Sequence, residues 1–269
     1  ADNRAKVMAG LISQGERPFC PGEKAQVHSF AVKWLAKILG LLLLGIASCR
    51  PAPPPDLPPA EIVQNAAQQM EQLAGFHFRI ERTGAPAYVD PPDNSIVFRL
   101  AEGDFTAPNR ARAVVRVIAP GLVTDVSVIS IGEIQWQTNV LTGQWEELPP
   151  NWGFNPTVLF DVEVGLQAVL RHDMSNLALA GTETLDEDLL YKVTGQAAGE
   201  RLYEMSGWLI GPQPVTVTLW VRPESFELVQ AEVVEPETDA GEPSVWLVTF
   251  SEFGQTTTIE PPLGEQKIP

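Results

Sequence analysis

The chain has 269 residues and a formal net charge of −16, from 18 Lys and Arg against 34 Asp and Glu. A surface this acidic repels phosphate backbones and anionic lipid heads, which argues against nucleic acid as a partner and against charge-driven adsorption to membranes. It has only two cysteines, Cys20 and Cys49, so no disulfide framework can carry the fold.

Residues 1–30 show no apolar periodicity. Val27 marks a plausible start, because a GTG codon reads as valine when it is not the initiator. Residues 1–26 are therefore expected to be an extension assigned upstream of the true start. From Ile38 to Ser48 runs an apolar stretch of eleven positions. A spanning helix needs about 20 residues, whereas the apolar region of a secretory signal needs about 7–15. Lys33 and Lys37 supply a positive flank, and Ala47 and Ser48 are small. A buried core helix would explain the run, but not its order with the lysines, the small residues, Cys49 and the prolines that follow. With Ile46 at −3 and Cys49 at +1, residues 27–48 resemble the bacterial lipoprotein signal. That resemblance implies that the Cys49 thiol receives a diacylglyceryl group and becomes the new N-terminus.

The first 48 residues hold 6 of the basic and 3 of the acidic groups, which leaves 12 against 31 and a net charge near −19. The 221 remaining residues can form one large domain. Residues 49–59 are the acylated cysteine and a tether, "RPAPPPDLPP", where proline forbids helix and sheet. The domain is expected over 60–262, with a short tail over 263–269.

In "AEIVQNAAQQMEQLAGF", Ile62, Ala66, Met70 and Leu73 recur at helical spacing, which predicts an amphipathic helix ended by Gly75. From Phe76 the period falls to two: Phe76, Phe78 and Ile80 share one face, and His77, Arg79 and Glu81 the other. Strand patterns follow in "SIVFRLAEGDFTAP", "RARAVVRVIAPG", "LVTDVSVISIGEIQWQTN" and "QWEELP", parted by turns at Pro91-Pro92, Pro108-Asn109 and Pro120-Gly121. Thr142-Gly143 reads as a hairpin tip. Residues 155–181 interrupt the meander, with a helix expected over about 159–170. Strands resume with "GTETLDEDLLYKVTGQAAG", the hairpin "PVTVTLWVRPESFELVQAEVV" and "PSVWLVTFSEFGQTTTIEPP". The order of helix, strands, helical insertion and strands fits an α+β fold. A strongly curved antiparallel half-barrel with helices over its concave face satisfies both the strands and the striped helices.

This ordered set is similar to the LppX/LprA/LprF/LprG-type bacterial lipoproteins, related in shape to the LolA/LolB carriers. It comprises the signal, the tether, the helix running into "FHFRIERTG", the mid-chain "NPTVLF…GLQAVL", "TLWVRPESFELVQAEV" and "VTFSEFGQTTTIEPP", over roughly residues 57–262. The turn Arg222-Pro223-Glu224 departs from the Asp-Pro turn of that family. The resemblance implies an extracytoplasmic lipoprotein held at the cell membrane by Cys49. Its apolar cavity would take acyl chains of a lipid or glycolipid, carried or presented in the envelope, with an envelope transport partner. The protein is read as a monomer.

A lipid groove needs long apolar faces, so Phe76, Phe78, Ile80, Val115, Val117, Val217, Leu219 and Val221 are the candidate lipid-binding residues. Ala113 and Val215 share their faces. For each, packing against the helices is the competing role. Six tryptophans, Trp136, Trp145, Trp152, Trp208, Trp220 and Trp246, either frame a ligand mouth or fill the core.

No catalytic residue, metal site or cofactor is expected. The domain holds two histidines, His77 on an outward strand face and His172 capping a helix beside Asp173. Glu146 and Glu147 are strand neighbours that point to opposite faces, and "DED" at 186–188 is a solvated turn. The alternative function is a non-catalytic adaptor or sensor that binds another envelope protein. A continuous apolar hollow favours lipid, and a packed interior favours protein. If Cys49 is the anchor, Cys49→Ser abolishes incorporation of radiolabelled acyl groups and moves the protein out of the membrane fraction; retention of label by that variant would refute the anchor.

Overall fold

The structure is a computed structural model, and it describes residues 54–89, 93–149, 155–236, 238, 241–263 and the backbone of 266–267. The chain divides into two units, Ala1–Pro53 and Pro54–Pro269, and all described residues belong to the second. The extension over 1–26, the signal over 27–48, Cys49, the Pro91-Pro92 turn and Trp152 lie outside the described residues.

Helix α1 spans Pro59–Gln72. Pro59 sits at the start of the helix, where its fixed φ suits the turn and its missing N–H would have no partner anyway. Ile62, Val63, Ala66, Ala67 and Met70 are buried, a broader stripe than the predicted one. The helix stops at Gln72, ahead of the predicted stop at Gly75. Gly75 instead opens the first strand, where a Cβ would lie 2.2 Å from the carbonyl oxygen of Gln255 and 2.7 Å from that of Phe105. Close backbone approach, rather than helix termination, is what demands glycine there.

The strands form one open sheet. β1 (Gly75–Gly84), β2 (Val97–Thr106), β3 (Arg110–Ala119), β4 (Leu122–Ile131), β5 (Ile134–Thr138) and β6 (Trp145–Glu147) make a first antiparallel meander. β7 (Met174–Leu185), β8 (Asp188–Ala197), β9 (Val215–Val221), β10 (Leu228–Glu235) and β11 (Ser244–Ser251) make a second. β11 pairs with β1 and joins the two, and the two-residue β12 (Gln266–Lys267) pairs in parallel with β6. The order is β12-β6-β5-β4-β3-β2-β1-β11-β10-β9-β8-β7.

Three local expectations give way. "LVTDVSVISIGEIQWQTN" is two strands, because Gly132 takes a positive φ of 60° and turns the chain. The Thr142-Gly143 tip belongs to a longer loop, since β5 ends at Thr138. The helix expected over 159–170 is broken into α2 (Pro156–Leu159) and α3 (Leu166–Ala168), the latter continuing as a π-turn over Val169–Asp173. Asp161 is the breaker: its Oδ1 accepts from the N–H of Glu163 (2.8 Å) and of Val164 (3.1 Å), which draws those donors out of a helical ladder. A further helix, α4 (Gly199–Met205), stands where no element was predicted. Leu202 and Met205 form its buried face.

The sheet keeps one apolar face throughout. Register places Val115, Ala101, Ile80, Val248, Ala231, Leu219 and Val193 in one cross-strand row over seven strands. The opposite face carries ion pairs. Arg112 forks onto Asp104 (3.0 and 2.9 Å), and Arg116 onto Asp125 (2.8 and 2.9 Å). Burial raises the Asp104 carboxyl, but hydrogen bonds from His77 and Arg112 outweigh it and hold the group below its ordinary value. Four phenylalanines of the apolar face, Phe76, Phe78, Phe105 and Phe250, surround Phe160 at centroid distances of 4.9 to 6.1 Å. Phe76→Ala should cost about 3–5 kcal/mol in urea unfolding; a loss under about 1 kcal/mol would contradict the central role of this cluster.

Candidate functional site

Helices α2, α3 and α4, with the loop after α4, roof over the apolar face and leave a cavity beneath them. Its floor is Ile80 of β1, Phe98 of β2, Ala231 and Val233 of β10, and Trp246, Val248 and Phe250 of β11. Its roof is Leu159, Phe160 and Leu166 from the mid-chain segment, and Leu202, Met205, Ser206, Leu209 and Ile210 from α4 and its loop. The volume is about 80 Å³. One water needs roughly 10–15 Å³, but a cavity without polar partners stays dry.

Two lining residues carry polar side-chain atoms, and both are spent within the protein. Ser206 Oγ donates to the carbonyl of Tyr203 (3.2 Å) and accepts from the N–H of Ile210 (3.0 Å). Trp246 Nε1 donates to Glu235 Oε2 (2.9 Å). Glu235 Oε1 also accepts from the N–H of Gly211 (2.7 Å). The buried carboxylate thus ties the sheet to the loop that forms half the roof. Arg82 lies across β11 on the other side of Trp246, and its Nε donates to the carbonyl of Phe98 (3.0 Å). Burial, and then Arg99, hold the Arg82 guanidinium below its ordinary value, against the opposing field of Glu235.

Of the eight candidate residues, Ile80 lines the cavity. Phe76 and Phe78 lie beside it, packed on Phe160 at 4.9 Å each. Val115, Val117, Val217, Leu219 and Val221 are buried in the core away from the cavity lining, as are their neighbours Ala113 and Val215. Sequence reasoning read β11 as a strand and weighed Trp246 for a ligand mouth, but left Val248 and Phe250 out of the candidates, although "SVWLVTFS" alternates all three onto one face. It also passed over the roof segment "RLYEMSGWLI". Among the tryptophans, Trp136, Trp220 and Trp246 are buried and Trp208 is exposed.

The other chemistry-bearing residues are occupied or dispersed. His77 is half-buried with Nδ1 at 2.9 Å from Asp104 Oδ1, more enclosed than the solvated residue expected. His172 is exposed at the end of the π-turn. Asp186 and Glu187 form the β7–β8 turn, both at positive φ. Glu146 accepts from Asn139 Nδ2 at 2.9 Å. Among the described residues no group of three or more His, Cys, Asp or Glu could hold a metal ion, and no helix is long and apolar enough to cross a membrane.

An open sheet with one apolar face, roofed by short helices over a hollow, is the fold shared with the LprF and LppX structures. Residues 58–259 match the family model described as LppX_LprAFG lipoprotein, and the chain belongs to that family. LprF from Mycobacterium bovis is similar in structure, with 18% identity and a TM-score of 0.59, over 78% of this chain and 100% of that one. LppX from Mycobacterium tuberculosis is similar at 18% identity and a TM-score of 0.53, over 75% of this chain and 98% of that one. No curated protein matches the chain.

Removal of the Glu235 carboxylate leaves the Gly211 N–H and the Trp246 indole without their shared acceptor. Glu235→Ala should therefore loosen the roof first. Amide exchange over 206–214 should speed up by at least about tenfold while β1 and β11 stay protected; unchanged exchange in that loop would rule out the tie.

Proposed function

We propose that the protein is an extracytoplasmic lipoprotein, anchored through acylated Cys49, that takes a hydrocarbon chain of a lipid or lipoglycan into this cavity and carries or presents it in the cell envelope. The supporting observation is the lining. Fifteen residues face the hollow, and the two with polar side-chain atoms have already committed them. Each methylene transferred from water to such a surface gains about 0.8 kcal/mol. Membership of a lipoprotein family points the same way. So does the hollow itself, because the adaptor alternative calls for a packed interior.

The lining also bears on specificity. No polar group is free inside to read a headgroup, so the head stays outside and selection falls on the chain. The hollow holds about 80 Å³, so it admits part of one chain as it stands. A whole chain requires the roof to lift. Phe76, Phe78 and the β3 and β9 valines would then extend the apolar path along the sheet.

Native mass spectrometry of the unit Pro54–Pro269, purified and then incubated with extracted membranes, tests the reading. Bound lipid is the expected result, with a fatty acid and a fatty alcohol of equal length retained to similar degrees. Val248→Trp, which fills the floor from its half-exposed position, should cut retention at least about tenfold while costing at most about 1–3 kcal/mol of stability. A mass that stays free of lipid under all these conditions would end the carrier reading.

A further inference from the structure

Two neighbouring loops hold aliphatic side chains out in water. The β3–β4 hairpin turns at Pro120 and Gly121, with Ala119 paired to Leu122. The β5–β6 loop runs from Asn139 to Gln144. β4 and β5 are partners in the sheet, and the N–H of Ser127 donates to Thr138 Oγ1 (2.9 Å), so both loops leave their strands in the same direction, the β5–β6 loop starting level with Ser127, inward along β4 from the hairpin at Leu122. A Cβ on Gly121 or Gly143 would meet nothing within 4 Å, so each turn has open space beside it. Leu141 is 87% exposed and Val123 61%, and Ile118, Leu122 and Val140 are exposed beside them.

The larger loop is built rather than slack. Asn139 Oδ1 accepts from the N–H of Leu141 (2.9 Å) and of Thr142 (3.0 Å). The N–H of Gly143 donates to the carbonyl of Asn139, and that of Asn139 to the carbonyl of Gln144, both at 2.8 Å. These donors are satisfied inside the loop, which lowers the cost of taking that stretch of backbone out of water. The tips are also uncharged: neither 119–124 nor 138–144 contains Asp, Glu, Lys or Arg, in a chain of net charge −16. A protein partner selected by charge would have nothing to read there. The boundary between headgroups and acyl chains asks only for apolar surface and satisfied backbone.

We propose that these two tips form a membrane-contact site that dips into the headgroup–acyl boundary of an uncharged lipid surface. The site stands independently of the cavity and of Cys49. The chain enters the domain at the other end of the strands, where the Tyr191 hydroxyl donates to the carbonyl of Pro55 (2.7 Å). A tethered domain thus keeps its apolar tips away from its own point of attachment.

The test uses the unit Pro54–Pro269, which is compact and has a core made of its own residues. Phosphatidylcholine vesicles should sediment it, and Val123→Asp with Leu141→Asp should weaken that binding at least about tenfold, the loss of two inserted aliphatic side chains. The unit contains no cysteine, so a single environment-sensitive dye can be placed at will. A dye at Thr142→Cys should shift to the blue with vesicles, and one at Glu133→Cys, at the opposite strand end, should not. Fatty-acid retention by native mass spectrometry should be unchanged in the double variant, which separates this site from the cavity. Equal vesicle binding by the double variant, a silent dye at 142, or equal shifts at 142 and 133 would each overturn the proposal. Self-association of the vesicle-free unit that the same variant abolishes would assign the tips to a second copy instead.

Discussion

An open sheet of this width has one face that water must not reach, and the chain supplies few helices to cover it. β1 alone directs Phe76, Phe78 and Ile80 inward, and the same face continues through seven strands in one cross-strand row. A barrel would solve the problem by closing on itself, but here β7 remains an edge. The cover is therefore α1, two helical fragments, α4 and a loop. Phe160 is the residue on which that cover turns. It descends from the break between α2 and α3 into a ring of four phenylalanines, so the interruption that ends the helix is also what lowers an aromatic ring into the trough. An unbroken helix over the same residues would carry Phe160 on its surface and span the trough without filling it.

Where the cover stops short of the floor, a hollow remains, and polar groups at its rim limit how far it can relax. Glu235 is buried with two donors, Gly211 N–H and Trp246 Nε1, from two different elements. Arg82, equally buried, spends itself on the main-chain carbonyls of Phe98 in β2 and Gly84 at the end of β1. Left unmade, such hydrogen bonds cost more than they return when made, so they specify geometry rather than add stability. The Glu235 carboxylate holds the loop after α4 against the sheet through Gly211, while the apolar contacts beneath it stay incomplete.

Much of the fold was legible because strand alternation is a direct consequence of burial on one face. "FHFRIERTG" and "RARAVVRVIAPG" could be read residue by residue. The failures have local causes. Gly132 turns the chain inside an unbroken β-rich run, and nothing but its own φ marks the place. Asp161 captures two backbone donors, a hydrogen-bond choice that periodicity does not register. α4 is seven residues long, too short for a periodic signal to outweigh its neighbours. The cavity was less legible than the fold. Alternation tells which side chains face inward and is silent on which of them the roof fails to touch. Val217 and Val248 look alike in sequence; one is packed and the other faces space, because α4 and its loop stand over β10 and β11.

That difference decides how a hollow of this kind can grow. The floor is a ladder of backbone hydrogen bonds, and widening it would break them along whole strands. The roof is held by side-chain packing, one carboxylate and a few turn bonds around Ser206 and Gly211. Motion takes the softer route, so any enlargement comes from the roof rising off β10 and β11 with the sheet unchanged. The exposed face of the same loop carries Trp208, at positive φ and open to water. When the loop rises, the newly opened seam lies between Leu209 and Ile210 above and Ala231 and Val233 below, apolar on both sides. Such a seam holds no unpaired polar side chain of the lining that a hydrocarbon chain would have to desolvate, which is what the proposed carriage of lipid requires.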